Sequence, residues 1–230
     1  MGDRGFMLSA QHSALRTAAI VPVKGLGDAK GRLRDVLSPP EREDLTLWML
    51  ERVLRAFAEP QMVSRVCVVT PDARVAKHAE ERGAVALRER GRGGLNVALE
   101  EARREARIHG AEACLVALGD LPLLQAGEVV GMLACGEDTG ACVAAPDRHG
   151  RGTNALLVRP LDTLPLLFGS ESYGRHLEAA RSRRVRLETY HSSGTGLDVD
   201  TADDLRELLE RAGAMGLELP VGLAELACVE

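Results

Sequence analysis

Short apolar runs rich in Val, Ile and Ala recur along the chain, with helix-length amphipathic stretches between them. The runs are Thr17–Val23, Val63–Val69, Ala84–Leu87, Ala113–Leu118 and Ala141–Ala145. Continuous apolar runs of this length suit strands covered on both faces. Ser38 followed by Pro39, Pro40 and Glu41 has the form of a capping box with proline in the first turn. The helix it opens would bury Leu45, Trp48, Met49, Val53 and Phe57. Thr70-Pro71-Asp72 opens a second helix that stops at Gly83, and a third runs from Leu95 to His109 and stops at Gly110. Thr201-Ala202-Asp203-Asp204 starts the last, running from Asp203 to about Ala212. This alternation predicts one α/β domain with a mainly parallel sheet and helices on both faces.

Residues 146–200 break the rhythm. They hold a glycine-rich loop, an apolar run Ala155–Val158, a helix near Tyr173–Ser182 and two strand-like pieces, Val185–Leu187 and Leu197–Val199. A small antiparallel excursion is expected there. The domain is expected to span 17–212, after an extension over 1–16 and before a tail over 213–230 that packs on the domain or on a second subunit.

The chain has 29 basic and 34 acidic side chains in 230 residues, a net charge of −5, so it lacks the cationic excess of a phosphate-neutralising nucleic-acid binder. Aromatic residues are 3%, too few for base-stacking platforms. No run approaches the roughly 18 apolar residues that cross a membrane. Met1–Arg16 mixes Asp3, Arg4, Gln11 and His12 with apolar residues and lacks a signal-peptide core. The five cysteines, Cys67, Cys114, Cys135, Cys142 and Cys228, form no C-x-x-C pair, which fits a reducing cytoplasm rather than a disulfide framework or structural zinc. The histidines form no H-x-x-x-H pair, and no G-x-S-x-G elbow is present, so a covalent hydrolase is not expected.

Six segments could carry chemistry. Lys24-Gly25-Leu26-Gly27-Asp28-Ala29-Lys30-Gly31-Arg32 follows the first strand. Glycines let backbone amides approach an anion, and Lys24, Lys30 and Arg32 add cations, which makes a polyphosphate cradle. It is not a P-loop, because the GxxxxGK(S/T) spacing is absent, and not the dinucleotide fingerprint, because Lys30 stands where the third glycine belongs. Asp120 in Leu118-Gly119-Asp120-Leu121-Pro122 ends an apolar strand, where a carboxylate either faces the crevice and holds Mg²⁺ or caps a turn. Asp198 and Asp200 stand two apart on a strand-like piece, so either both face one side and repel unless a cation separates them, or Asp200 starts the final helix and Asp198 joins a salt bridge. Thr153, in the loop Pro146–Asn154, reads as an anion contact or as part of a surface hairpin. Ser172, after Phe168-Gly169-Ser170-Glu171, reads as a helix N-cap or as an anion site at a helix N-terminus. Gly91-Arg92-Gly93-Gly94-Leu95-Asn96 opens a helix, and Asn96 there reads a base edge or ribose unless the segment is only a flexible turn.

Together these segments resemble the nucleotidyltransferases of deazaflavin coenzyme F-420 biosynthesis, the 2-phospho-L-lactate and phosphoenolpyruvate guanylyltransferases. The resemblance runs from about Ala18 to Leu209, and its most specific carriers are GTNALL (152–157) and FGSESYGRH (168–176). It implies a Rossmann-like nucleotidyltransferase fold and transfer of GMP from GTP to a three-carbon phosphoacid. Phosphoenolpyruvate is favoured, with 2-phospho-L-lactate and 3-phosphoglycerate as alternatives. It implies Mg²⁺ on Asp120, Asp198 and Asp200, and acceptor contacts at Thr153, Gly169 and Ser172. Lys24, Lys30 and Arg32 would hold the triphosphate, with Gly25, Gly94 and Asn96 on the nucleotide, in a cytoplasmic homodimer. A rival reading is a nucleotide-sugar glycosyltransferase, because Asp198-Val199-Asp200 is a D-x-D; a non-catalytic nucleotide-binding subunit is another. Two consequences are expected: Lys30→Ala spares folding, and Asp→Asn at Asp120 or Asp200 abolishes turnover while the metal-free protein stays as stable or gains stability.

Overall fold

A computed structural model describes residues 16–58, 63–88, 93–139 and 141–223. Residues 1–15 of the expected extension, Gly91 and Arg92, and the last part of the expected tail, 224–230, lie outside the described residues. Among the described residues, no helix is long and apolar enough to cross a membrane.

The strands are β1 (Thr17–Pro22), β2 (Val63–Thr70), β3 (Val85–Arg88), β4 (Ala113–Ala117), β5 (Cys142–Pro146), β6 (Thr153–Val158) and β7 (Leu187–Thr189). They form one sheet in the order β3-β2-β1-β4-β6-β5-β7. β1 lies between β2 and β4, with Ile20 opposite Cys67 on β2 and Val116 on β4, both parallel. Every residue of β1, β4, β5 and β6 is buried, which is why those runs are apolar without alternation. β6 is the expected antiparallel excursion: it runs against both β4 and β5.

The helices are α1 (Pro39–Ala58), α2 (Ala73–Glu80), α3 (Leu95–Ile108), α4 (Ala126–Thr139), α5 (Ser172–Arg183), the single turn α6 (Ser193–Gly196) and α7 (Ala202–Ala214). Side chains of α1, α2 and α4 pack on one face of the sheet with Val21, Leu115 and Leu157. Those of α3 and α5 pack on the other, with Ile20, Val116 and Leu156. A third cluster joins α1 to α7 through Leu45, Met49, Leu205 and Leu208. Leu217, Leu219 and Leu223 of the expected tail pack on that cluster, and Trp48 Nε1 donates to the Glu218 carbonyl. Cys67, Cys114 and Cys142 are buried thiols outside any disulfide, and burial pushes Cys114 up to about 12. They act as small apolar side chains.

Three local expectations change. Leu197–Val199 forms no ladder and is extended coil. The Val185–Leu187 strand begins two residues later, at Leu187. Ser172 is the first helical residue of α5, and Glu171, at φ 53°, is the cap.

Candidate active site

The basic loop leaves β1 at the carboxyl edge of the sheet and makes two 3₁₀ turns, Leu26–Asp28 and Gly31–Leu33. Buried Leu26 and Leu33 anchor the turns. Asp72 ties the loop to α2: its Oδ2 accepts from Leu26 N–H at 3.0 Å, and its Oδ1 accepts from Arg74 N–H at 2.8 Å. Burial pushes the Asp72 carboxyl up, but those amides outweigh it and hold it below the usual range. Gly25 contributes no steric need, since a Cβ there would meet only ordinary contacts at 3.9 Å.

Lys30 joins the two turns at φ 54° and ψ 36°, a left-handed conformation that costs energy for a residue with a Cβ. Its side chain, 7% exposed, shows what holds it there. Nζ lies 2.6 Å from Asp120 Oδ2 and 2.8 Å from Asp200 Oδ1. Burial alone would depress its pKa; the carboxylates of Asp120 and Asp200 outweigh that and hold the ammonium above its ordinary value. Asp200 is pushed up by burial and pulled further down by Lys30, with Lys24 and Arg32 adding to the pull. All three loop cations therefore act on one carboxylate. This corrects the view of Lys30 as a loop residue with no structural part.

Asp120 reaches this point through Gly119. A Cβ at Gly119 would lie 2.6 Å from Val23 Cγ2 and 3.1 Å from the Pro22 carbonyl. Only glycine lets the turn after β4 lie this close to the end of β1. The Asp120 carbonyl accepts from Val199 N–H at 3.3 Å, which brings in the Asp198–Asp200 segment. Although that segment is not a strand, its alternation survives. Leu197 and Val199 are buried, while Asp198 and Asp200 are only partly buried. The segment ends in a capping box: Thr201 accepts from Asp204 N–H, and Asp204 Oδ2 accepts from the N–H groups of Thr201 and Asp200.

Asp198 differs from its neighbours because, among the described residues, no ammonium pairs with it. Its Oδ1 accepts from Asn154 Nδ2 at 3.1 Å, and the same amide donates to the Thr195 carbonyl at 2.9 Å. Burial first, and then the Asp120 charge, raise the Asp198 carboxyl above the usual range. Asp120 Oδ1 is buried with no hydrogen-bond partner among the described residues. A raised carboxyl beside an orphaned carboxylate oxygen marks a cluster short of positive charge. These hard oxygen donors fit Mg²⁺. Among the described residues, no three side chains are already arranged as a ligand set, and the one cation in the cluster is the Lys30 ammonium.

The other wall forms where β6 begins. Ala145 pairs with Ala155 but Pro146 pairs with Thr153, so the register shifts and Asn154 is extra. Such a bulge re-aims side chains. Asn154 turns to Asp198, and Thr153 turns to α5. Thr153 N–H donates to Ser172 Oγ at 2.8 Å, and Thr153 Oγ1 lies 2.9 Å from His176 Nδ1. Thr153 and Ser172 are each 1% exposed, while Gly169 is exposed at φ 116°. Asn96 has a structural part that its sequence context does not show. Its Oδ1 accepts from Phe168 N–H at 2.8 Å and its Nδ2 donates to the Phe168 carbonyl at 3.0 Å, so both ends of the amide pin that loop to α3. Gly94, at φ 74°, is the α3 N-cap beside it.

Sequence reasoning assigned no site role to Asn154 or His176, and gave Asp72 only a place at the start of α2. His176 lies four residues after Ser172, on the same face of a helix, which is a signal that helical spacing carries.

Residues 17–214 match the family described as "Guanylyl transferase CofC like". The chain belongs to the CofC-like guanylyl transferase family. This CofC-like transferase is 42% identical over 198 residues to the phosphoenolpyruvate guanylyltransferase of Sphaerobacter thermophilus, covering 86% of this chain and 95% of that one. It is 44% identical over 195 residues to the protein of the same name from Rubrobacter xylanophilus, covering 85% and 94%. The 2-phospho-L-lactate guanylyltransferase of Methanothermobacter thermautotrophicus is 36% identical over 195 residues, covering 85% and 86%. Among solved structures, a putative nucleotide-diphospho-sugar transferase from Desulfovibrio desulfuricans G20 superposes with a TM-score of 0.71 at 18% identity, covering 85% of this chain and 87% of that one. A nucleotidyl transferase from Methanothermobacter thermautotrophicus superposes at 0.63 with 18% identity, covering 87% and 99%. At such identities these two neighbours speak for the fold alone. The CofC-like chain is a nucleotidyltransferase with a single α/β domain.

Proposed function

We propose that this enzyme transfers GMP from GTP to phosphoenolpyruvate and releases pyrophosphate. The observation that carries the site is the Lys30 ammonium held between Asp120 and Asp200, with Lys24 and Arg32 acting on the same carboxylate. The acceptor follows the relatives at 42% and 44% identity, both named for phosphoenolpyruvate. An oxygen of the acceptor phosphate attacks the α-phosphorus of GTP. One P–O bond forms, the α–β bridging bond breaks, and pyrophosphate leaves. No covalent intermediate is needed, so catalysis is positioning plus charge neutralisation.

Lys24, Lys30 and Arg32 would hold the triphosphate, with the loop amides around Gly25 beside them. Asp120, Asp198 and Asp200 would hold Mg²⁺, which when bound neutralises charge on the transferring and leaving phosphates. Thr153, Gly169 and Ser172 would hold the acceptor, Gly169 at the exposed lip and the two hydroxyls at the buried end. Asn154 would bridge the two halves: its amide holds Asp198, and its neighbour Thr153 would face the acceptor.

Incubation with GTP, Mg²⁺ and each of phosphoenolpyruvate, 2-phospho-L-lactate and 3-phosphoglycerate, with products identified by mass, tests this reading. A guanylylated phosphoenolpyruvate in clear excess supports it. Preference for 2-phospho-L-lactate moves the chain to the activity named in the Methanothermobacter relative. Product only with a nucleotide sugar would restore the D-x-D glycosyltransferase.

A further inference from the structure

His176 is completely buried, and both of its ring nitrogens are engaged. Leu167 N–H donates to Nε2 at 3.0 Å, and Thr153 Oγ1 lies 2.9 Å from Nδ1. A backbone N–H can only donate, so Nε2 must accept. A neutral imidazole carries one N–H, and that hydrogen therefore sits on Nδ1. It donates to Thr153 Oγ1, which leaves the Thr153 hydroxyl proton for an acceptor elsewhere. Phe168 packs edge-on against the imidazole, with ring centroids 5.4 Å apart at 71°, and fixes the ring plane. The same logic holds for Ser172, whose Oγ accepts from Thr153 N–H and keeps its own proton to donate. Burial, and then the nearby Arg175, keep the ring neutral by lowering its pKa to about 4.

We propose that His176 is a positioning residue for the acceptor site: by donating from Nδ1 it makes the Thr153 hydroxyl a committed donor to the anionic acceptor. The neutral tautomer matters, because a hydroxyl free to rotate could present a lone pair to a phosphate or carboxylate oxygen and repel it. A hydroxyl fixed as a donor gives the stronger, charge-assisted bond. This rests on the reading of Thr153 as an acceptor contact.

The experiment separates the two nitrogens and measures KM for phosphoenolpyruvate, KM for GTP, kcat and melting for each variant. His176→Asn keeps a donor near Nδ1 and loses the Nε2 contact; His176→Gln does the opposite. The proposal expects His176→Gln to raise the phosphoenolpyruvate KM about tenfold, leaving KM for GTP unchanged, and His176→Asn to keep the KM near wild type. In a Thr153→Val background the His176→Gln effect should vanish, since the hydroxyl it acts through is gone. The reverse pattern, with Asn impaired and Gln intact, overturns the proposal and makes His176 a strut for the loop at Leu167. A Thr153→Val variant with an unchanged phosphoenolpyruvate KM overturns the acceptor reading itself, and the proposal with it. Nitrogen NMR of the wild-type imidazole decides without any variant: Nδ1–H supports the proposal, and Nε2–H contradicts it.

Discussion

Replacing Lys30 by methionine removes the ammonium and keeps most of the apolar stem. The lysine side chain is 7% exposed and its partners Asp120 and Asp200 are 24% and 45% exposed. Removing one partner of a fully buried ion pair costs about 3–5 kcal/mol. Water reaches both carboxylates here, and screening brings the loss to about 1–2 kcal/mol. For a chain of this size that corresponds to a drop of roughly 2–8 °C in Tm. The sign with pH follows from the two shifts. The raised Lys30 pKa gives stability that is present in full below its ordinary 10.5 and lost as pH rises through the folded value. The lowered Asp200 pKa gives stability present above 3.8 and lost as pH falls through its folded value. The deficit of Lys30→Met is therefore greatest between these limits, around neutral pH. Melts at pH 7 in chelator and in excess Mg²⁺ are the assay. The deficit should be present in chelator and shrink with Mg²⁺, which supplies the carboxylates with another cation. In the same variant kcat/KM for GTP should fall by about 30- to 1,000-fold, the scale for losing a charged transition-state contact. Melting equal to wild type in chelator, or a deficit that Mg²⁺ leaves untouched, would refute the reasoning.

Four further outcomes follow from the geometry of the site and its walls. Asp198→Asn should abolish turnover yet leave the metal-free protein as stable as wild type or more so, because it removes a raised, ammonium-free carboxylate and keeps an oxygen for Asn154; metal-free denaturation beside a pyrophosphate assay checks this. Asp120→Asn should instead destabilise the metal-free protein, since it weakens the Lys30 pair. Acid should destabilise the fold by about 3 kcal/mol between pH 6.5 and about 4: His176 is neutral in the fold with its pKa lowered to about 4, so its contribution is full above 6.5 and falls as the unfolded chain takes up the proton, and His176→Asn should flatten this part of the stability–pH curve. Gly119→Ala should cost stability and activity together, because its Cβ would meet Val23 Cγ2 at 2.6 Å and the Pro22 carbonyl at 3.1 Å; Gly25→Ala, with contacts no nearer than 3.9 Å, should be close to neutral in melts.

Strands were legible where both faces are covered, because an unbroken apolar run has few other homes. Helices with polar caps were legible too: Asp72 and Thr201 both cap as their sequence context indicates. α4 was not, because Gly127, Gly131 and Gly136 break its helical pattern. The latter two are there for close approach: a Cβ would strike Tyr190 Oη at 2.5 Å from Gly131 and Leu157 Cδ2 at 2.6 Å from Gly136. At the site, residue types announced a phosphate loop and an acidic cluster, yet not that Lys30 itself bridges Asp120 and Asp200. That pairing spans 90 and 170 residues of sequence, and only the sheet order brings it together. The difference inverts a stability expectation. Three bare acids should repel, so removing any one should help; with Lys30 between two of them, only Asp198 retains that property. The structural part of Asn96 is illegible for a related reason. An amide beside a glycine-rich turn suits a ligand, but the chain uses it to pin its own Phe168.

Nucleotidyl transfer at this crevice is tested most directly by following label. The enzyme is incubated with phosphoenolpyruvate, Mg²⁺ and GTP labelled at either the α- or the γ-phosphate. The α-label should move into a product that forms only with phosphoenolpyruvate, while γ-label leaves in pyrophosphate. Release of γ-label as inorganic phosphate, or α-label that never leaves GTP with any three-carbon phosphoacid, would contradict it.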